Sequence, residues 1–147
     1  IIQIAKYRGI QPEQALENII YARAASLNEL LEIVASLKKV KDVGIVLLDS
    51  LPSLFIAPED VREYKRNLGI ISYVLKFLLD YSLDNDASIV VTNMKINDKV
   101  FGDPFVSIFI SKRLIIERTG ERERSVRYLF PLSSKTSRFT IERNGLR

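Results

Sequence analysis

Apolar positions recur along this chain first at helical spacing, then in short unbroken runs, and lastly in alternation. The opening "IIQIAKYRG" reads as the end of a helix stopped by Gly9. "QPEQALEN" makes a second short helix, with Pro12 in its first turn. "IIYARA" is β-prone and short, so Ile19 to Ala22 reads as a buried strand. Ser26 and Glu29 form an S-x-x-E capping box. Leu27, Leu30, Leu31, Val34 and Leu37 follow at helical spacing. That helix ends near "KKVKD", where lysines suit the negative end of its dipole.

Val43 to Leu48 is an apolar strand, and it stops abruptly on Asp49 and Ser50. A long helix is expected from about Asp60 to Leu83, with Val61, Tyr64, Leu68, Ile71, Leu75 and Leu78 as its apolar stripe. The turn "DND" leads into "ASIVVTN", a second fully apolar strand. Strands that alternate with helices and are apolar on both faces predict a parallel sheet covered on each side. The last third changes character. "RLIIER", a "TGE" turn and "RSVRYLF" make a hairpin, and "SRFTI" follows before "ERNG". The expectation is one α/β domain over residues 1–147 that finishes in antiparallel strands.

Composition narrows the chemistry. The chain has 147 residues, 47% hydrophobic and 27% charged, which is ordinary for a globular protein. No apolar run approaches the length of a transmembrane helix. With no cysteine, disulfides and cysteine metal sites are excluded, and a reducing cytoplasm is the default location. With no histidine, the serine triads and most zinc chemistry go too. Catalysis would have to rest on carboxylates, lysines, hydroxyls or a bound ion. Charge is unevenly spread: residues 111–147 hold 10 Lys/Arg against 4 Asp/Glu, whereas residues 1–110 hold 12 against 14. A basic segment of this kind suits a polyanion, and it equally describes a solvated hairpin face.

The abrupt strand end carries the main chemical signal. A carboxylate at the depth of a core costs several kcal/mol unless it is paired, hydrogen-bonded or metal-bound. In open parallel sheets ligands sit at the carboxyl ends of strands. Asp49 ends one strand and Thr92–Asn93–Met94 ends another, so the two ends can face a common site. An apolar strand terminating in Asp is the Walker B pattern, whose carboxylate orders a magnesium shell beside nucleotide phosphates. The same pattern describes an Asp that caps the next turn.

Taken in order, "ALENIIYARA", "VGIVLLDSLPSLF", "IVVTNM", "FGDP" and "RLIIERTGERERSVRYLFP…FTIERNGLR" resemble the RecA/RadA recombinase family. More closely, they resemble the carboxyl-terminal two-thirds of the ATPase core of an archaeal RadA recombinase or RadA paralog. The resemblance covers essentially the whole chain. It implies a RecA-like P-loop ATPase core, a mainly parallel twisted sheet between helices with an antiparallel carboxyl-terminal hairpin extension. It also implies ATP and Mg2+ as cofactors, with DNA and a RadA-type recombinase, or a further copy of the chain, as partners. By this resemblance Asp49 matches the Walker B aspartate, which holds magnesium through water, and Ser50 the serine after it. Asn93 and Pro131 fall at nucleotide-binding positions, the latter in a cap over ATP at a subunit interface. Phe55 and Ala57 to Arg66 match the first DNA-binding loop, and Met94 to Pro104 the start of the second. Arg62, Lys65, Arg66, Lys95 and Lys99 are therefore the DNA-binding candidates. Lysines in loops are also commonly just solvated.

The departures from the family pattern point in one direction. Met94 stands where the family has a glutamine that senses the γ-phosphate, and methionine cannot make that hydrogen bond. "FVSIFISKR" follows Gly102–Asp103–Pro104 with no glycine pair or histidine, Ile56 replaces an arginine, and "YLFPLSSK" lacks the cap aspartate. No G-x-x-x-x-G-K-[ST] occurs in residues 1–147, so the phosphate loop and catalytic glutamate are expected before Ile1. These features suit an accessory, recombinase-assisting paralog in DNA recombination and repair. Such a protein would be a DNA-dependent ATPase only with that loop, and inactive as this chain alone. The alternatives are a RecA-fold scaffolding subunit without nucleotide chemistry, or a clock- or signalling-type ATPase of the same fold. Tyr7, Tyr21 and Phe77 read as core rather than stacking platforms, and Arg122, Arg124 and Arg127 as edge protection.

Overall fold

The computed structural model describes residues 1–54, 60–96 and 99–147. It divides into two compact units, residues 22–110 and residues 1–21 with 111–147.

In the first unit, helix α3 (Leu27–Ser36) starts where the capping box placed it. Ser26 Oγ accepts the Glu29 amide at 3.1 Å, and Glu29 Oε2 reaches back to the amide of Ala25 at 2.8 Å. Two otherwise orphaned donors are satisfied this way. The long helix α4 (Val61–Asn85) opens on Asp60, whose carboxylate accepts the Arg62 amide at 2.8 Å. It closes on Asp86 in the left-handed region, φ 52°, with Ser82 Oγ donating to Ala87 O. Of its predicted stripe, Leu68, Ile71, Leu75 and Leu78 are buried, joined by Val74 and Tyr81, while Val61 and Tyr64 are exposed.

Strands β1 (Ile45–Leu48) and β2 (Ser88–Val91) pair in parallel, Ile45 opposite Ser88 and Leu48 opposite Val91. α4 is their crossover, the connection that parallel strands require. Leu30 and Val34 of α3 meet Val74 and Leu78 of α4 over Val46, Leu48 and Ile89. A second cluster gathers Leu27, Leu51, Ile71, Leu75 and Val106. The opposite sheet face, Ile45, Leu47 and Val90, is exposed. A mainly parallel sheet covered on both sides is thus corrected to a two-stranded parallel sheet covered on one. The unit continues into a two-residue antiparallel ladder, β3 (Lys95–Ile96) with β4 (Lys99–Val100).

In the second unit, α1 (Ile2–Tyr7) stops at Gly9 as expected. Gly9 takes φ 70°, and the Ile10 amide returns to Ala5 O at 2.9 Å. α2 (Pro12–Glu17) carries Pro12 at its first position. Residues 19–22 form no strand; Ile20 and Tyr21 stand exposed, Tyr21 at 83%. Four β-prone residues become a strand only where a sheet edge offers ladder partners. Tyr7 is exposed as well, so Tyr7 and Tyr21 are not core residues, whereas Phe77, in the first unit, packs against the cluster of Leu30, Val34, Val74 and Leu78, with Lys38 Nζ 5.3 Å from its ring centre.

The antiparallel part is larger than a hairpin extension. Strands β5 (Arg113–Arg118), β6 (Glu123–Phe130), β7 (Thr136–Glu142) and β8 (Gly145–Leu146) form one sheet in sequence order. β6 lies inside this sheet, so Arg124 and Arg127 do not protect an edge. Arg127 Nε instead lies 3.7 Å from Glu117 Oε2 on the neighbouring strand, and Arg124 is tied to turn carbonyls.

The packing of α4 generates a stability prediction. Leu78→Ala should cost about 2–5 kcal/mol in urea denaturation, because Leu78 is 1% exposed and its site cannot collapse freely. Ser26→Ala should cost only ~1 kcal/mol, the value of a helix cap. A Leu78→Ala loss no larger than the Ser26→Ala loss would show that α4 is not the core of this unit.

Candidate functional site

The carboxyl ends of β1 and β2 are fastened together. The ladder continues one step past the strands, with the Thr92 amide on Leu48 O at 3.0 Å and the Leu51 amide on Thr92 O at 3.1 Å. This register sets Thr92 beside Asp49, and Thr92 Oγ1 donates to Asp49 Oδ1 at 2.5 Å. Asp49 is exposed rather than buried. The cost of a carboxylate after an apolar strand is therefore met by solvent and one hydroxyl, with no buried charge to compensate. Ser50 follows, half-buried, and its carbonyl accepts from Ser53 Oγ at 2.7 Å. Thr92 was not among the candidates from sequence. Its signal was present all the same: a hydroxyl residue one step past β2, at the height of Asp49.

The next two residues link this strand end to the following loop. Asn93 Nδ2 donates to Phe101 O at 2.9 Å, and its Oδ1 accepts the Met94 amide at 2.7 Å. The Phe101 amide returns to Met94 O at 3.0 Å. Asn93 is thus a clamp between β2 and the segment after β4. Met94 is 49% exposed. In the same loop Gly102 takes φ 75°, and a Cβ there would lie 2.6 Å from Val106 Cγ2. Only glycine fits that turn, since Val106 is itself part of the core.

Asp49, Ser50, Asn93 and Met94 are therefore brought together by the register of β1 and β2. Lys95 and Lys99 lie on the short β3–β4 ladder, where Lys95 pairs with Val100 and Lys99 with Ile96. That register puts the two lysines on opposite faces of the ladder. Arg62, Lys65 and Arg66 lie exposed in the first two turns of α4, at spacings that share one side of the helix. Pro131 belongs to the other unit, exposed at the turn after β6. Of the first-loop segment, Phe55 and Ala57 to Glu59 lie outside the described residues, as do Asn97 and Asp98 of the second.

The donors at the strand ends fit the magnesium side of a nucleotide site and not the phosphate side. Asp49 offers hard carboxylate oxygens to solvent, held in orientation by Thr92. Among the described residues no group of three or more acids could hold a metal ion. One carboxylate acting through water requires an ion whose other ligands come from the nucleotide. No described helix is long and apolar enough to cross a membrane.

No protein-family model matches this chain. Over 82 residues, 52% of its length, it is 28% identical to the DNA repair and recombination protein RadB of Thermococcus kodakarensis. Over 100 residues, 67% of its length, it is 28% identical to the protein of the same name from Pyrococcus horikoshii. These matches span only 37% and 42% of the two relatives. The chain is similar to archaeal RadB proteins over about two fifths of their length.

Proposed function

We propose that this chain is part of the ATPase core of a RadA-like accessory protein in DNA recombination and repair. The observation that carries the reading is the Asp49–Thr92 pair at the carboxyl ends of two adjacent parallel strands. The similarity to RadB supports the same superfamily. Bound at this edge, magnesium would neutralise charge on the nucleotide phosphates. The chain's own share is to hold one carboxylate still. Thr92 fixes its Oδ1, and the remaining lone pairs face solvent, where a metal-bound water can donate to them. Asn93 then connects that edge to the segment carrying Lys99 and Gly102, through Phe101 O.

A second reading, a scaffolding subunit without nucleotide chemistry, is favoured by one observation. Met94 offers no amide at the sensing position, and the Asn93 amide beside it is already engaged by Phe101. The two readings differ in what Asp49 does. Asp49→Asn keeps an acceptor for Thr92 but removes the charge. In the protein as it occurs in its cell, this substitution should weaken magnesium–nucleotide binding by about tenfold or more, since charge-assisted contacts are roughly twice as strong as neutral ones. Melting should shift little. Calorimetric titration measures the first and thermal unfolding the second; unchanged affinity with lost stability would assign Asp49 to turn capping alone.

DNA binding is proposed to run through phosphate contacts from Arg62, Lys65, Arg66, Lys95 and Lys99. It should then be sequence-tolerant and fall steeply between low and moderate salt. Lys95→Gln together with Lys99→Gln should reduce the slope of log K against log salt by about 1–2. Fluorescence anisotropy with a labelled oligonucleotide reads both, and a flat salt response excludes the contacts.

Met94 yields a further expectation. Without a γ-phosphate sensor, DNA affinity should differ by only a few-fold between ATP- and ADP-bound protein. Typical allosteric coupling is ~5–150-fold. Met94→Gln should not restore full coupling, because the loop beyond Gly102–Asp103–Pro104 is short. A large ATP-dependent gain in the unmodified protein would place the coupling in another residue.

A further inference from the structure

Asp49 carries two carboxylate oxygens, and the fold treats them differently. Thr92 Oγ1 donates to Oδ1 at 2.5 Å, whereas Oδ2 meets no donor among the described residues. The hydroxyl has little freedom to do anything else. The Thr92 amide is bonded to Leu48 O at 3.0 Å, and the Thr92 carbonyl accepts the Leu51 amide at 3.1 Å. Both ends of the residue are thereby tied to β1 and the turn after it, and a β-branched side chain is stiff about χ1. Leu48 O also lies in reach of the hydroxyl, at 3.5 Å. The carboxylate is closer and charged, so it takes the proton. All of these contacts join two directly paired strands of one unit, and no further segment is needed to form them.

That asymmetry has a chemical consequence for an ion. A donated hydrogen bond uses a lone pair of Oδ1 and draws charge from it, which leaves Oδ2 the stronger acceptor. Grip by both oxygens at once is disfavoured, and a single oxygen is offered instead. The two common hard cations differ on this point. Calcium takes about six to eight oxygen ligands and often holds a carboxylate through both oxygens. Magnesium demands near-octahedral geometry, dehydrates reluctantly and keeps several of its waters. One charged oxygen accepting from a metal-bound water suits magnesium and serves calcium poorly. The neighbourhood does not make up calcium's missing ligands, since among the described residues no three acids gather around one point.

We infer that Thr92 is a positioning residue that makes the Asp49 edge selective for magnesium over calcium, by holding Oδ1 so that the carboxylate acts through Oδ2 alone. The inference rests on the nucleotide reading of this edge and adds what decides the accompanying ion. Two substitutions separate the hydroxyl from the shape that carries it. Valine keeps the branched side chain without the donor, and serine keeps the donor without the methyl group. Thr92 is exposed, so neither substitution opens a cavity in the core.

The test is calorimetric titration of ADP into the protein as it occurs in its cell, with magnesium, with calcium and with EDTA. The unmodified protein should bind ADP more tightly with magnesium than with calcium. Thr92→Val should narrow that preference by about two- to tenfold, the worth of one hydrogen bond, chiefly through a gain with calcium. Thr92→Ser should keep the preference. Thermal unfolding checks that each variant keeps its fold, and Thr92→Ala must show the same narrowing if Thr92→Val does not fold. Equal affinity with the two ions in the unmodified protein overturns the inference. So does a preference that Thr92→Val leaves unchanged, including an equal loss with both ions, or one that Thr92→Ser also loses. In each of these cases metal-dependent ADP binding leaves the nucleotide reading standing. ADP affinity that EDTA does not alter sinks that reading, and the inference with it.

Discussion

The unit that holds the candidate site depends on one contact, the apolar stripe of α4 against the inner face of β1 and β2. Parallel strands cannot be joined by a tight turn, so their pairing exists only if the crossover helix packs back on them. Val74 and Leu78 do this over Val46, Leu48 and Ile89, while Ile71 and Leu75 of the same helix collect Leu27, Leu51 and Val106. One helix therefore serves both hydrophobic clusters. Loosening it would release the β1–β2 register and the loop anchored by Val106 together.

The strand-end geometry follows from that packing. Once Leu48 stands opposite Val91, Asp49 and Thr92 are neighbours without any further adjustment, and their side chains hydrogen-bond. Asn93 transmits the placement outward by clamping Phe101, and Gly102 lets the chain pass close over Val106. A carboxylate, a hydroxyl and the segment carrying Lys99 and Gly102 are thereby fixed to one sheet edge. Each is chemically ordinary, and only their common anchorage on a rigid scaffold makes the edge a candidate for ligand binding.

Uncovered apolar surface is the second theme. Ile45, Leu47 and Val90 on the parallel sheet are exposed, and so are Leu114, Ile116, Ile141 and Leu146 of β5–β8, whereas Val126 and Phe139 are half-buried. In both places the strands have formed and their inner or polar faces are settled, but one layer of packing is lacking. A sheet face of Leu, Ile and Val is stable in water only under a cover, whether from a helix, another sheet or a partner.

Local signals were legible in the sequence because they need no distant partner. Ser26 with Glu29, Gly9 after α1, Pro12 in α2 and the 3.6-residue stripe from Leu68 to Leu78 act within a turn or two of the backbone, and each formed as expected. So did the apolar strands β1 and β2. Tertiary structure decided what depends on pairing. Residues 19–22 have β propensity and no edge to join, so they form no strand and stay exposed. Lys95 and Lys99, close in sequence, were separated by the register of a two-residue ladder. β6 became an interior strand, which turned its arginines from edge guards into partners of a neighbouring strand and a turn. Thr92 gained its role only because parallel register set it beside Asp49. Helix caps and periodicity are contacts between near neighbours along the chain, whereas strand order, register and burial are contacts between segments whose meeting no local pattern encodes.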